Sequence, residues 1–302
     1  DFGSGDRICY HGVCDMFRNP KLAASVYSAV GVNTEPVLAI SSDMNIGEHP
    51  AGNRGDVYII TNCDSVKMYK NDKFIKEYKH TDSPYKNLSN APILIDDYIG
   101  DQMKEKEGFS DRQNAIVKEA LNYIGRYGNN NIPPKIMLRL GEAMARFHMN
   151  FQDAYDLYGK YIGDWGGKST GFRFVGIKNG KEVITVIKAP CEGMGLDIKV
   201  SSFELVEGAT YDVASVRIKV VDQNGNVLPH YNRSLIAKTE GPIEIVGPEL
   251  IDINGGMGGI YVKSTGKTGK ASLKVYFNDV FVDKGSDIIK LIDFDVCGGE
   301  LV

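Results

Sequence analysis

Chemistry needs a nucleophile, a base, paired acids, a metal cage or a phosphate cradle, and the sequence offers candidates for each. The five histidines are His11, His49, His80, His148 and His230. None stands in a motif with a nucleophile, and pairing one with Cys14 or Cys63 has no local signature behind it. Each is read as structural or surface. Asp96-Asp97, Glu105 with Glu107, and Asp293 with Asp295 have the residue types for acid/base work. Two catalytic carboxyls must face each other across a cleft at a set separation, which chain neighbours on a surface element rarely meet. They are read as solvated charges.

Gly255-Gly256-Met257-Gly258-Gly259 is glycine-rich, but no Lys-Ser/Thr stands after it. The next residues, Ile260-Tyr261-Val262, are strand-like, whereas a phosphate cradle needs the N–H groups of a helix start. The run is read as a loop at the end of a sandwich. Asp222, Asn224 and Asn226 alternate like the start of a calcium loop, but Val227 takes the glycine position and Arg233 the closing glutamate position. A hairpin turn through Asn224-Gly225 explains them better. Cys9 and Cys14 lack a second ligand pair, so no metal site is assigned. Tyr155, Tyr158, Tyr161 and Trp165 lie close together. Tyr158, Tyr161 and Trp165 are the candidate sugar-stacking platform, weighed against the commoner core role of aromatics at helical spacing. No catalytic residue and no cofactor is assigned.

These candidates must be held by elements, and two kinds alternate along the chain. Leu22, Ala23, Val26, Tyr27 and Val30 recur at helical spacing, with Pro20 placed for the first turn and Gly31 for the stop. Short β segments come next at 37–40, 56–61 and 66–69, with Asn71-Asp72 as a hairpin turn into 73–76. Residues 101–165 read as three short helices forming a small bundle. Ser110 with Gln113 caps the first, Pro133-Pro134 open the second, and Asn150 with Asp153 caps the third. A hairpin at 172–187 turns at Asn179-Gly180, and a polar break at 191–195 is the linker. Beyond it, Ala214, Val216, Ile218 and Val220 alternate with Val213, Ser215, Arg217 and Lys219, as one buried face requires. The stretch 288–296 fits a strand or a helix.

The expected fold is mainly β with a helical insert: two immunoglobulin-like β-sandwiches, the first interrupted by a small helical bundle. The expected divisions are 1–31, 32–100 with 169–190, 101–168, and 195–302. Length supports this, since 302 residues suit two or three domains. Lys plus Arg is 35 and Asp plus Glu is 39, a balance that excludes a strongly basic nucleic-acid or membrane-surface protein. No run of about 18 apolar residues is present, so no spanning helix is expected. No signal peptide is recognised, and the five cysteines at wide spacing lean toward a reducing, cytoplasmic compartment. The chain begins at Asp1 and is read as a piece of a longer one.

Several stretches resemble one family. Gly12-Val13-Cys14-Asp15-Met16-Phe17-Arg18-Asn19-Pro20-Lys21-Leu22-Ala23 looks like the end of the catalytic barrel in family 2 glycoside hydrolases, the β-galactosidase and β-glucuronidase family. Asp56 to Ile75, with Thr61-Asn62-Cys63-Asp64, is similar to the sandwich that comes after the barrel, although Asp72 stands where glycine is usual. Gly171 to Ile187 resembles that sandwich's closing hairpin. Tyr211 to Pro229, with Val220-Val221-Asp222-Gln223-Asn224-Gly225-Asn226, and Gly241 to Gly247 resemble the C-terminal immunoglobulin-like domain. The insert 101–168 departs from the pattern.

The resemblance implies a C-terminal accessory region. Its parent would hydrolyse terminal β-glycosides, most of all β-galactosides, with carboxylates in a barrel upstream of residue 1. It also implies that residues 1–31 are the remnant of that barrel's end and that the piece alone is inactive. The upstream barrel is then the natural partner, with carbohydrate and a second copy of the chain as further candidates. A carbohydrate-binding module and an adhesin of immunoglobulin-like repeats are the alternatives.

Overall fold

The computed structural model describes residues 12–32, 35–45, 52–164, 170–278 and 289–299. They fall into two compact units, Ala24–Pro190 and Asp1–Ala23 with Cys191–Val302. The boundary between the two units falls inside the helix of the segment 1–31. That helix, α1 (Leu22–Val30), starts two residues after Pro20, because Pro20 is held in a β-bridge to Cys14. Gly31 closes it, donating its N–H to the Tyr27 carbonyl. Of the expected stripe, Leu22 and Tyr27 stand exposed; the buried residue is Ala29.

The unit Ala24–Pro190 holds β1 (Leu38–Ile40), β2 (Tyr58–Thr61), β3 (Ser65–Lys70), β4 (Lys73–Lys79) and β5 (Ile93–Leu94). The helices α2 (Gln102–Glu107), α3 (Asp111–Tyr127), α4 (Pro134–Phe147) and α5 (Phe151–Tyr158) come next, then a π-helical turn at Gly159–Gly163, β6 (Phe172–Lys178) and β7 (Lys181–Lys188). Two antiparallel sheets form, in orders β1-β2-β5 and β4-β3-β6-β7. Both hairpins turn where the sequence places them. Asn71 and Asp72 take φ of 47° and 61°, and Asn179 and Gly180 take 52° and 73°, the positive values that let a two-residue turn match strand twist. Asp72 can replace glycine because its short polar side chain tolerates this region.

The helix caps form where the sequence places them, with only the Ser110 half of the expected box at Gln113. The Ser110 hydroxyl accepts from the Gln113 N–H, and Asn150 with Asp153 forms a reciprocal box. The helical insert forms in the first sandwich as expected. Among its described residues it has four α-helices where three were expected, and Met103, Ile116, Val117, Leu121, Leu157 and Ile162 share one core with Tyr78, Phe172 and Phe174 of the sheets. The insert is part of this sandwich's interior.

Asp97 shows how the join is made. Its carboxylate accepts from the N–H groups of Ile99 and Gly100 at 2.9 and 3.0 Å and from the Asn122 amide at 3.1 Å, and it pairs with Lys118 at 2.7 Å. Burial works against the charged form, but Lys118 and the turn N–H groups outweigh it and hold Asp97 below its ordinary 3.8. A depressed carboxylate adds stability above its unfolded value and loses it as pH falls through the folded one. The wild-type unit should therefore weaken on acidification below 3.8. Asp97→Asn should lower stability at neutral pH by about 2 kcal/mol and flatten that acid limb, as read by urea unfolding against pH. An unchanged acid limb would refute the assignment.

The second unit holds β8 (Met194–Val200), β9 (Glu204–Glu207), β10 (Val213–Asp222), β11 (Ser234–Glu240), β12 (Ile243–Val246), β13 (Leu250–Asp252), β14 (Met257–Ser264), β15 (Gly269–Phe277) and β16 (Ile289–Gly298). The sheets run β12-β14-β10-β8 and β13-β11-β15-β16-β9, antiparallel except for β16 with β9. Ala214, Val216, Ile218 and Val220 are fully buried, as the alternation requires. The undecided tail is a strand that buries Ile292, Phe294 and Val296.

The loop 13–21 also lies in this unit. The Asp15 carboxylate accepts from the N–H groups of Phe17 and Asn19 at 2.9 and 2.8 Å. The Asn19 amide donates to Asp15 and to the Gly258 carbonyl, each at 2.9 Å. The glycine run is part turn and part strand: Asn254 bridges Met257, and Met257 to Gly259 open β14.

Candidate functional site

Of the expected aromatic platform, the structure describes Tyr158 and Tyr161. Tyr161 is 2% exposed, and its hydroxyl donates to Glu107 at 2.5 Å, with Lys160 paired to the same carboxylate. The ammonium groups of Lys106 and Lys160 lie 5.5 and 5.4 Å from its ring centroid. Burial, with the Glu107 hydrogen bond, pushes its phenol far above the ordinary value. A ring so covered has no face for a sugar, which corrects that candidate. Tyr158 is half-buried against the same core. Trp165 lies outside the described residues.

The π-helical turn instead delivers backbone and one acid to a buried charge cluster. Lys70 Nζ donates to the Tyr161 carbonyl and meets Asp164 Oδ1, both at 2.8 Å. Arg54 donates to the carbonyls of Met44 at 2.8 Å and Ile162 at 3.2 Å, and its guanidinium lies 3.8 Å from Asp164. The guanidinium carbon stands 5.1 Å from the Tyr98 ring centroid and 5.3 Å from that of Phe172. Exposure of the three side chains is 3% for Arg54, 5% for Lys70 and 20% for Asp164. Two buried cations thus share one carboxylate. Burial lowers the pKa of both, with Asp164 acting against it. Burial likewise raises the Tyr98 phenol to about 12.

Strand alternation signals Lys70: Val66, Met68 and Lys70 share the inward face of β3. Arg54 precedes β2 in irregular backbone and has no periodicity to reveal it. The cluster's chemistry is cohesive, since it ties the end of the insert to β3 through Asp164 and the Tyr161 carbonyl, and to the segment before β2 through Asp164 and the Ile162 carbonyl.

Several of the other candidates are engaged structurally. Asp96 pairs with Lys76, Glu107 with Lys160 and Asp295 with Lys270. Asp222 accepts from the N–H groups of Asn224 and Asn226, both at 2.8 Å, and so closes the hairpin turn. His80 rests between the carbonyls of Ala91 and Cys63. His148 ends α4 in the left-handed region. Cys9, His11 and His49 lie outside the described residues. Among the described residues, no three His, Cys, Asp or Glu side chains are placed to hold a metal ion. Among the same residues, no helix is long and apolar enough to cross a membrane.

No family model matches the chain. A β-galactosidase of Thermoanaerobacter pseudethanolicus is 29% identical over 275 residues, which is 90% of this chain and 29% of that protein. A β-galactosidase of Rhizobium radiobacter is 33% identical over 113 residues, 37% of this chain and 81% of that sequence. A solved β-glucuronidase from glycoside hydrolase family 2 superposes with a TM-score of 0.53 at 15% identity, over 96% of this chain and 23% of that one. That likeness speaks for the fold. The chain spans less than a third of the Thermoanaerobacter protein. The β-rich fold with its helical insert, the ordered motifs and these relatives agree. The chain belongs to the family 2 glycoside hydrolases and corresponds to their β-galactosidase-like C-terminal region.

Proposed function

We propose that this chain is a non-catalytic accessory region of an enzyme that hydrolyses terminal β-glycosides, β-galactosides foremost. The observation that carries the reading is the alignment of 90% of the chain with a protein named a β-galactosidase. The engagement of Asp96, Asp97, Glu107 and Asp295 in ion pairs supports it, because a catalytic carboxyl must be free to reach substrate. In this reading a two-carboxylate retaining mechanism belongs to a barrel elsewhere in the parent polypeptide. The present residues brace that barrel.

A chromogenic β-galactoside and β-glucuronide, offered side by side to this chain and to the full-length parent, test it. The parent should cleave the galactoside, and the chain alone should give no turnover above background. Turnover by the chain alone would overturn the accessory role. An inactive parent would overturn the parent activity.

A further inference from the structure

Four tyrosines and one ion pair gather on the surface of the unit Ala24–Pro190. The segment before β2 is docked on the end of α3, where the N–H groups of Arg54 and Gly55 donate to the carbonyls of Gly125 and Arg126 at 3.0 and 2.9 Å. That docking brings Asp56 to Arg126 and Tyr127. Asp56 Oδ1 accepts from the Arg126 guanidinium and from the Tyr127 hydroxyl, both at 2.5 Å. Tyr123 packs on Tyr127 with ring centroids 4.9 Å apart. Tyr58 follows Asp56 at the start of β2. Tyr85 comes from a loop pinned by the buried Ser83, whose hydroxyl accepts from the Tyr85 N–H at 3.1 Å and donates to the Pro92 carbonyl at 2.7 Å. The Tyr85 ring centroid lies 6.1 Å from that of Tyr58, and the two hydroxyls stand 3.4 Å apart. Tyr85 is 50% exposed, so half of its surface is open to a ligand.

The hydrogen bonds already made decide what the patch still offers. Both bonds to Asp56 go to Oδ1, so the lone pairs of Oδ2 remain for a donor. The Tyr127 hydrogen bond, with Arg126, holds Asp56 below its ordinary 3.8, which keeps it a charged acceptor at neutral pH. Tyr85 donates toward the Tyr58 hydroxyl, which leaves the Tyr58 proton to give. The Tyr85 contact, burial and the nearby Asp56 charge push that phenol up to about 12, so the proton is retained. Arg126 neutralises Asp56, and the patch carries no net charge to attract an ion. A purely apolar partner would cover the carboxylate and the phenols without bonding them, at a desolvation cost. A pyranose suits both halves: its C–H face packs on an aromatic ring, and its hydroxyls donate and accept at the rim. We infer that this patch binds a neutral glycan, with one sugar ring on Tyr85 and its hydroxyls bonded by Asp56 Oδ2 and the Tyr58 hydroxyl. The choice of a sugar over other neutral hydroxylated ligands rests on the glycoside-hydrolase reading; the rings, the free acceptor and the free donor do not.

Calorimetric titration of the 302-residue chain with lactose and, separately, with sorbitol tests this. Sorbitol carries hydroxyls on an open chain and has no flat C–H face. Lactose should saturate with a Kd on the order of 1 mM, as suits a shallow open site, and sorbitol should bind at least about tenfold more weakly. Tyr85→Ala should weaken lactose about tenfold or more, whereas Tyr85→Phe, which keeps the ring, should stay within about threefold. Should Tyr85→Ala fail to fold, Asp56→Asn keeps side-chain volume in the same patch and should weaken lactose at least about threefold, because the acceptor loses its charge. No saturation by lactose, equal binding of sorbitol, or lactose affinity untouched by Tyr85→Ala or Asp56→Asn would overturn the proposal. The readout is binding, so it stands or falls independently of whether the parent hydrolyses galactosides.

Discussion

Asp164→Asn is expected to destabilise the unit Ala24–Pro190 by about 3 kcal/mol, the lower end of the cost of breaking a buried ion pair. The substitution keeps side-chain volume. It also suits the backbone, because Asp164 sits at φ 55°, where asparagine is as tolerant as aspartate. What it removes is the one acid shared by Arg54 and Lys70. Arg54 cannot shed its proton, so the uncompensated charge falls on Lys70.

The pH dependence has a definite sign. Lys70 has a folded pKa below its ordinary 10.5, chiefly through burial. Below the folded value both states are protonated and the desolvation cost is fully present. Between the folded value and 10.5 the unfolded chain binds more protons, so stability rises with pH. Losing the Asp164 charge lowers the folded pKa further and starts that rise at lower pH. The gap between wild type and Asp164→Asn should therefore shrink as pH climbs toward 10.5. Lys70→Met in the Asn background removes the stranded cation and should regain about 1–2 kcal/mol, a coupling that independent sites would not show. Urea unfolding of the four combinations across pH measures all of this. A single-variant loss under about 1 kcal/mol would mean that water reaches the cluster and screens it.

The cluster also marks where sequence reading succeeds and where it stops. Periodicity reports faces, so the burial of Ala214 to Val220 and the inward placement of Lys70 are visible in the residues alone. Turn chemistry is equally local. Asn71-Asp72, Asn179-Gly180, Ser110 and Asn150 carry their conformational preference in their own side chains, and the structure uses each as expected. Nothing local says what a helix packs against. The insert's apolar stripe fits a self-contained bundle as well as a shared core, and only three-dimensional packing decides for the core.

Tyr161 fails for a related reason. Tyr155, Tyr158 and Tyr161 keep helical spacing, but the π-helical turn at Gly159–Gly163 rotates the last of them, and Tyr161 ends up buried on Glu107. The commitment of the loop 13–21 to the second unit is not local either. Asp15 and Asn19 look like loop residues, and the hydrogen bond that commits the loop to β14 reaches 239 positions along the chain.

Gly259→Ala should detach that loop. The added Cβ would meet Phe17 Cγ at 2.6 Å and the Val216 carbonyl oxygen at 2.8 Å, distances that real Cβ atoms essentially never show. The carbonyl belongs to β10, which pairs with β14 through Arg217↔Gly259, so it cannot retreat without breaking the ladder. The Phe17 ring is the softer wall and should move first. Overpacking of this kind costs about 1–3 kcal/mol. Because the loop rests on β14 through Phe17 and the Asn19 bond to Gly258, the cost should fall locally. The Arg18 peptide bond, between the two hydrogen-bonded ends of the loop, should become a trypsin site cut at least about tenfold faster than in wild type, since cleavage tracks the open population. Phe17→Ala in the Gly259→Ala background vacates the ring's place and should restore unfolding stability by about 1 kcal/mol. It should not restore the slow cleavage at Arg18, because the ring that anchors the loop is gone. Stability and proteolysis then separate. If both recover together, the ring is not what anchors the loop, and Asp15 with Asn19 holds it alone.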